Sequence, residues 1–144
     1  MTYTAMEKAN MELVRKFFEV GPSKGDIEAA DACLDTELSL HVPFPTTGSG
    51  IETINNIVKD CRAAFHGLYV TIEDMIADGD KVTCRFTSRG VHNGAFMGLP
   101  PTGKSIALTG IEIFRLKNGR IAEIWGEANL MGLMLQLNIP MPSS

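Results

Sequence analysis

The chain has 144 residues, 44% of them hydrophobic and 21% charged, with a formal net charge of −4. That length predicts a single domain, residues 1–144, able to bury roughly 70% of its unfolded surface. The mild acidity speaks against a nucleic-acid partner, which usually requires a basic patch.

The N-terminal stretch "MTYTAMEKANMELVRKFF" mixes charges among its apolar residues, unlike a signal peptide. No apolar run approaches the ~18 residues needed to span a bilayer, so a cytoplasmic protein without a membrane partner is expected. From Ala5 to Val20 the apolar positions recur at three- and four-residue steps, which predicts an amphipathic helix. "GPSKG" should end it. A short second helix follows, with Asp26 as N-cap and Ile27, Ala30 and Leu34 facing inward. "ELSLHVPF" alternates and reads as a strand ended by Pro43 and Pro45. After the loop "TTGSG", Ile51 to Phe65 predict a third amphipathic helix.

Beyond Gly67 the period changes to two. "LYVTIEDMIA", Asp78-Gly79 and "DKVTCRFTSRGVH" form one hairpin signal. "SIALTGIEIFRL", Asn118-Gly119 and "RIAEIWGEANL" form a second, stronger because Asn-Gly favours a type I′ turn. Helices first and long antiparallel strands afterwards indicate an α+β domain with a curved sheet wrapped on helices. The cysteines Cys33, Cys61 and Cys84 are odd in number and far apart, so reduced thiols without a metal are expected.

If the second hairpin keeps strict alternation from its turn, Lys117 faces Arg120 and the ladder runs back regularly. Glu112 then stands opposite Trp125, Gly110 opposite Glu127, and Leu108 opposite Asn129, all on one face. The other face carries Ile111, Ile113, Ile124 and Ala122. One face is thus aliphatic, while the other gathers two carboxylates, an indole and a carboxamide.

"GLPPTGKS", Gly98 to Ser105, fits the letters of a phosphate-binding loop. Such a loop follows a buried parallel strand and opens a helix, with backbone N–H groups aimed at the phosphates. Here the next segment reads as a strand, and Pro100 and Pro101 offer no N–H. The octapeptide is therefore read as a stiff connector between strands, and no nucleotide is expected.

These features occur together in an order that resembles the SnoaL-like polyketide cyclase (ester cyclase) family. It belongs to the nuclear-transport-factor-like superfamily, with ketosteroid isomerase and limonene epoxide hydrolase. The resemblance rests on "HVPF", "ADGDKVTCRFTSRGVHNGAFMGLPPTGK", "GIEIFRLKNGRIAEIW" and "GLMLQLNIP", and covers roughly Met11 to Pro140. It implies a cone-shaped α+β fold, three N-terminal helices on a curved, mainly antiparallel sheet enclosing an apolar pocket. It also implies a homodimer, a small hydrophobic substrate, and acid–base chemistry without a cofactor. One departure matters: where family cyclases usually carry an acid/base Asp, this chain has Asn129, and an amide cannot exchange a proton near neutral pH.

The candidate catalytic residues are therefore Glu127, expected to be buried beside Trp125 with a raised pKa, His92, and Asn129 as an oxyanion donor. Candidate substrate contacts are Trp125, His41, Glu112, Phe44, Phe65 and Met131. For Glu127 a solvated strand-end carboxylate is the competing reading, for Glu112 a hairpin carboxylate facing solvent, for His92 an ordinary loop histidine, and for His41 a surface position. The function implied is ring closure of a polyketide-type intermediate. The alternatives are an epoxide-opening ether cyclase or isomerase on the same fold, and a non-catalytic binder of small molecules.

Overall fold

The computed structural model describes residues 2–139. Helix α1, Ala5–Phe18, starts at a capping box in which Thr4 and Glu7 satisfy each other's backbone N–H groups. It buries Val14, Phe17 and Phe18. "GPSKG" does not end the coil at once: Glu19–Ser23, with Pro22 inside, continues as a π-helical turn. Arg62 holds that turn by donating from Nη1 to the carbonyls of Pro22 and Ser23 at 2.9 and 2.8 Å. Asp26 caps α2, Ile27–Asp31, by accepting from the Ala29 N–H.

The chain continues through strand β1, Leu34–His41, and helix α3, Gly50–Ala64. It then runs through β2, Phe65–Asp78; β3, Lys81–His92; β4, Ser105–Lys117; and β5, Arg120–Ala128. Helix α4, Leu130–Gln136, closes the described part, and the last residue of the family-like ending, Pro140, lies outside it. The five strands form one sheet in the order β1-β5-β4-β3-β2, with only β1 and β5 parallel. The expected α+β architecture, helices on a mainly antiparallel sheet, is the one observed. No described helix is long and apolar enough to cross a membrane.

Both hairpins exist, with small differences at their tips. Asp78 pairs with Lys81, so the first turn is Gly79-Asp80 rather than Asp78-Gly79. In the second, Lys117 pairs with Arg120, and Asn118 and Gly119 take φ of 51° and 74°, as a type I′ turn requires.

The register then departs from strict alternation. Arg115 pairs with Glu123 while Leu116 pairs with Ile121, so Ala122 is an extra residue in β5. This β-bulge shifts everything beyond it by one position. Glu112 faces Gly126 instead of Trp125, and Ile111 faces Glu127. Because side chains alternate, a one-residue slip exchanges the two faces. The inner face of the hairpin carries Phe114, Glu112, Gly110, Ile124 and Gly126; the outer face carries Ile111, Ile113, Trp125 and Glu127. The expected partition is thereby corrected.

The core divides in two. One cluster, containing Val14, Phe17, Phe18, Leu34, Phe114 and Ile121, joins α1 to the turn end of the sheet. The second, with Ala64, Phe65, Leu68, Phe96, Ile106 and Leu133, lies under α4 and the loop before β4.

Candidate functional site

Between the two clusters lies a cavity of about 150 Å³, bordered by Phe17, Phe18 and Phe86 of the first and Phe65, Phe96 and Ile106 of the second. On a measure where one water needs about 10–15 Å³, it has room for roughly ten waters, near ~300 Å³ of liquid and the lower end of small-molecule pockets. Helix α3 presents Ile54, Ile57, Val58 and Cys61 to it, an i, i+3, i+4, i+7 stripe. The wall is otherwise aromatic and aliphatic, including Phe44 and Phe65 as expected from the sequence.

Glu112 is the chemical exception. It projects from the middle of β4 onto the inner face, over Gly126, where an added Cβ would lie 3.3 Å from both Glu112 Cγ and Val42 Cγ1. Gly126 thus leaves the room that Glu112 occupies. The carboxyl enters none of the hydrogen bonds or ion pairs among the described residues, and burial pushes its pKa up to about 7. Its oxygens are nevertheless not sealed in protein, and the space they border is the cavity. A carboxyl in an apolar pocket is protonated at a higher pH because the charged form loses its hydration. Cys84, paired with Glu112 across β3 and β4, is buried beside it, and its thiol is pushed up to about 12 by burial and the nearby carboxylate.

Glu127 does not share this environment. Its side chain is exposed on the outer face, opposite Ile111, and it borders the cavity through its main chain. The expectation of a buried Glu127 is corrected, and the bulge at Ala122 is the reason. Trp125 and His41 are also outside the cavity. Parallel pairing of β1 with β5 sets them side by side on the outer face, with rings stacked at 5.5 Å. There His41 Nε2 lies 2.7 Å from Glu123 Oε2, and Arg115 Nε donates to Glu123 Oε1 at 3.1 Å. The bond to His41, then the one to Arg115, holds the Glu123 carboxyl below its ordinary value.

His92 is fully buried but does not line the cavity. Its Nδ1 accepts from the Thr102 N–H at 3.3 Å and lies 3.1 Å from Thr102 Oγ1; its backbone bonds Gly103 and Lys104. His92 thereby fastens the return of the "GLPPTGKS" loop, after which Ser105 opens a strand and not a helix. Its Nε2 is buried without a partner, behind Phe65, whose ring centroid is 5.4 Å away. Asn129 is exposed and caps α4, accepting from the Gly132 N–H at 2.8 Å. Met131 is 64% exposed on the same helix and contributes nothing to the cavity.

Of the nine expected site residues, then, Glu112, Phe44 and Phe65 converge on one cavity. Among the contributors that went unread are Gly126, and Ser88, whose side chain lies on the inner face. Ser88 had a signal, being the one hydroxyl in the inward series Val82, Cys84, Phe86, Ser88. Among the described residues no group of three or more His, Cys, Asp and Glu side chains could hold a metal ion.

Comparison with known proteins agrees with this architecture. The family model for SnoaL-like polyketide cyclases matches residues 12–137, and the chain belongs to that family. TsrD from Streptomyces laurentii is 27% identical, with a TM-score of 0.83 over 96% of this chain and 100% of that one. IdmH from Streptomyces antibioticus, described as a candidate polyketide cyclase, is 25% identical, with a TM-score of 0.79 over 90% and 99%. A candidate polyketide cyclase from Acidithiobacillus ferrooxidans is 27% identical, with a TM-score of 0.81 over 96% and 98%. A search of curated proteins finds no match. Family and neighbours together support a polyketide-cyclase-type function.

Proposed function

We propose that this member of the SnoaL-like polyketide cyclase family closes a ring in a small hydrophobic polyketide-type intermediate, without a cofactor, and that Glu112 moves the proton. The observation that carries this reading is a partnerless, desolvated carboxyl on the wall of an otherwise apolar cavity. In an aldol closure the Glu112 carboxylate takes a proton from the carbon beside a carbonyl. That carbon then bonds to a second carbonyl carbon, whose displaced π electrons become an alkoxide. The Glu112 acid returns the proton to this oxygen, so one carboxyl serves both directions and no electrons leave the substrate. A pKa of about 7 keeps both forms populated near neutrality, where general acid–base catalysis works best. The Ser88 hydroxyl is a donor for a substrate oxygen elsewhere in the cavity.

The acid form, populated below pH 7, favours a second reading: Glu112 protonates an epoxide oxygen as its C–O bond breaks, an internal hydroxyl bonds to the freed carbon, and the hydroxyl's proton returns to the Glu112 carboxylate. The pH profile separates them, since base-initiated aldol closure rises through pH 7 and acid-initiated epoxide opening falls. The decisive test is Glu112→Gln with a linear polyketide-type substrate. Turnover should fall at least ~100-fold, the usual contribution of such a group, while binding measured by calorimetry persists. Turnover at the wild-type rate would overturn the assignment. If the wild type turns over none of the ligands it binds, a non-catalytic binding protein is the better description.

The outer face of the sheet carries the exposed side chains Ile111 and Ile113 beside Trp125, and Ile76 in the same row on β2. A second copy of the chain is the partner proposed to cover it, and sedimentation of wild type against Ile111→Lys checks this.

A further inference from the structure

Three positions around Glu112 on the inner face of the sheet carry little or no side chain. Gly126 stands opposite it on β5, Gly110 lies two residues before it on β4, and Ala128 pairs with Gly110. Neighbours fill two of the spaces so left. Glu112 leans over Gly126, and Phe86 of β3, paired with Gly110, leans over β4. A Cβ added at Gly110 would lie 2.5 Å from Phe86 Cζ and 2.8 Å from its Cε1. The tip of the phenyl ring thus takes the place of the missing side chain, next to Glu112 on the same face of β4.

The ring is fixed in that place. Phe18 of α1 packs on it with centroids 5.6 Å apart, and Phe18 in turn meets Phe114 edge-on, also at 5.6 Å. Phe86 is only 7% exposed, yet it borders the cavity. Phe44 and Phe96 reach the same cavity from segments between the named helices and strands. Phe86 instead stands inside β3, which is paired with β2 on one side and β4 on the other. It cannot withdraw without disturbing the sheet.

Its row also lies between the carboxyl and the hydroxyl of the cavity wall. Glu112 pairs with Cys84 and Ser88 with Leu108, and the Phe86–Gly110 pair falls between those two pairs. A substrate that gives a proton to Glu112 and an oxygen to Ser88 therefore lies across the Phe86 ring. A fixed apolar wall at that point discriminates by size, because a group too broad for it meets atoms that do not move.

We propose that Phe86 is the specificity-determining residue of this site: seated in the room that Gly110 leaves, it limits the breadth of the ring system that fits beside Glu112. This rests on the cavity being the substrate site, and it names the side chain that selects among substrates there.

Naphthol and phenanthrol, which carry the same hydroxyl on two and three fused rings, test it by titration of ligand fluorescence. The wild type should bind naphthol at least about tenfold more tightly than phenanthrol. Phe86→Leu, which keeps an apolar core contact and removes the ring tip, should reduce that ratio to about threefold or less. Phe86→Ala should invert it. Phe114→Leu is the control: Phe114 packs on Phe18 in the same core cluster without bordering the cavity, so the wild-type ratio should persist. Circular dichroism checks the fold of each variant, and the wild-type ratio needs no variant at all. Gly110→Ala is the poorer probe, because its Cβ would also lie 2.7 Å from the Glu127 carbonyl oxygen, a clash with backbone.

An unchanged ratio in Phe86→Leu overturns the proposal. So does an equal change in Phe114→Leu, which would make loosening of the core the cause. A wild type that binds the two probes equally, or binds neither, overturns it as well. All of these are binding measurements, so failure of the size wall and failure of the acid–base reading, which the Glu112→Gln turnover assay decides, remain distinguishable.

Discussion

Glu112 and Glu123 sit on the same hairpin and differ in almost everything else. Glu112 faces inward, touches no charge and has its pKa raised to about 7 by burial. Glu123 faces outward, is held by His41 and Arg115, and has its pKa lowered. The residue type is identical; the face decides whether it exchanges protons near neutrality or stays ionised. The face, in turn, is decided by one residue, because Ala122 sets the register of β5 from Glu123 onward.

Lengthening the strand just beyond that residue should have the largest effect. An alanine inserted between Glu123 and Ile124 would move the rest of β5 by one position against β4, turning Trp125 and Glu127 inward and Ile124, fully buried in the wild type, outward. We expect a loss beyond ~5 kcal/mol, enough to abolish folding, seen as loss of soluble, protease-resistant protein. An insertion variant as stable as the wild type would refute the register of β5 as the determinant of these faces.

Next comes the thermodynamic signature of Glu112. Its folded pKa lies above its ordinary value of 4.5, so the folded state binds the proton more tightly. The resulting stability is present below pH 4.5 and is lost as pH rises through about 7. Glu112→Gln carries no such charge, so its advantage over the wild type should grow from nothing at pH 4.5 to about 3 kcal/mol above pH 7. Urea unfolding at several pH values measures it, and a pH-independent difference would contradict the buried carboxyl. An inactive variant that is more stable than its parent is the expected cost of a functional site.

Glu123→Gln should act in the opposite sense and more weakly. A lowered pKa contributes stability at neutral pH that fades as pH falls below the ordinary carboxylate range, and exposed pairs contribute little. Smallest of all is Glu127→Gln, which should leave turnover within twofold. A large loss there would place the chemistry on the outer face and reverse the assignment.

Much of this was readable from residue types. The 3.6 period located α1 and α3, Asp26 announced its cap, and Asn118-Gly119 marked its turn to the residue. The prolines and the β-branched run after "GLPPTGKS" correctly foretold a strand there. The candidate site was less legible, because turn chemistry pins register only as far as the first irregularity. The bulge left one trace, the adjacent apolar pair Ile121-Ala122, both buried, and two consecutive inward residues are hard to tell from ordinary variation. His41 and Trp125 were misplaced for another reason: their neighbour relation comes from the long-range parallel pairing of β1 and β5, which leaves no local pattern. The burial of His92 depends on how the loop after it folds back through Thr102.

The bulge also bears on how relatives of this chain should be matched. A residue added at Ala122, or the same length of strand paired without the bulge, would exchange the chemical identity of every wall position downstream while barely altering the string of letters. Two relatives that share "EIWGEAN" letter for letter could then present different groups to their substrates, and two that differ there could present the same ones. Along this hairpin, functional equivalence is counted from the bulge and not from the motif.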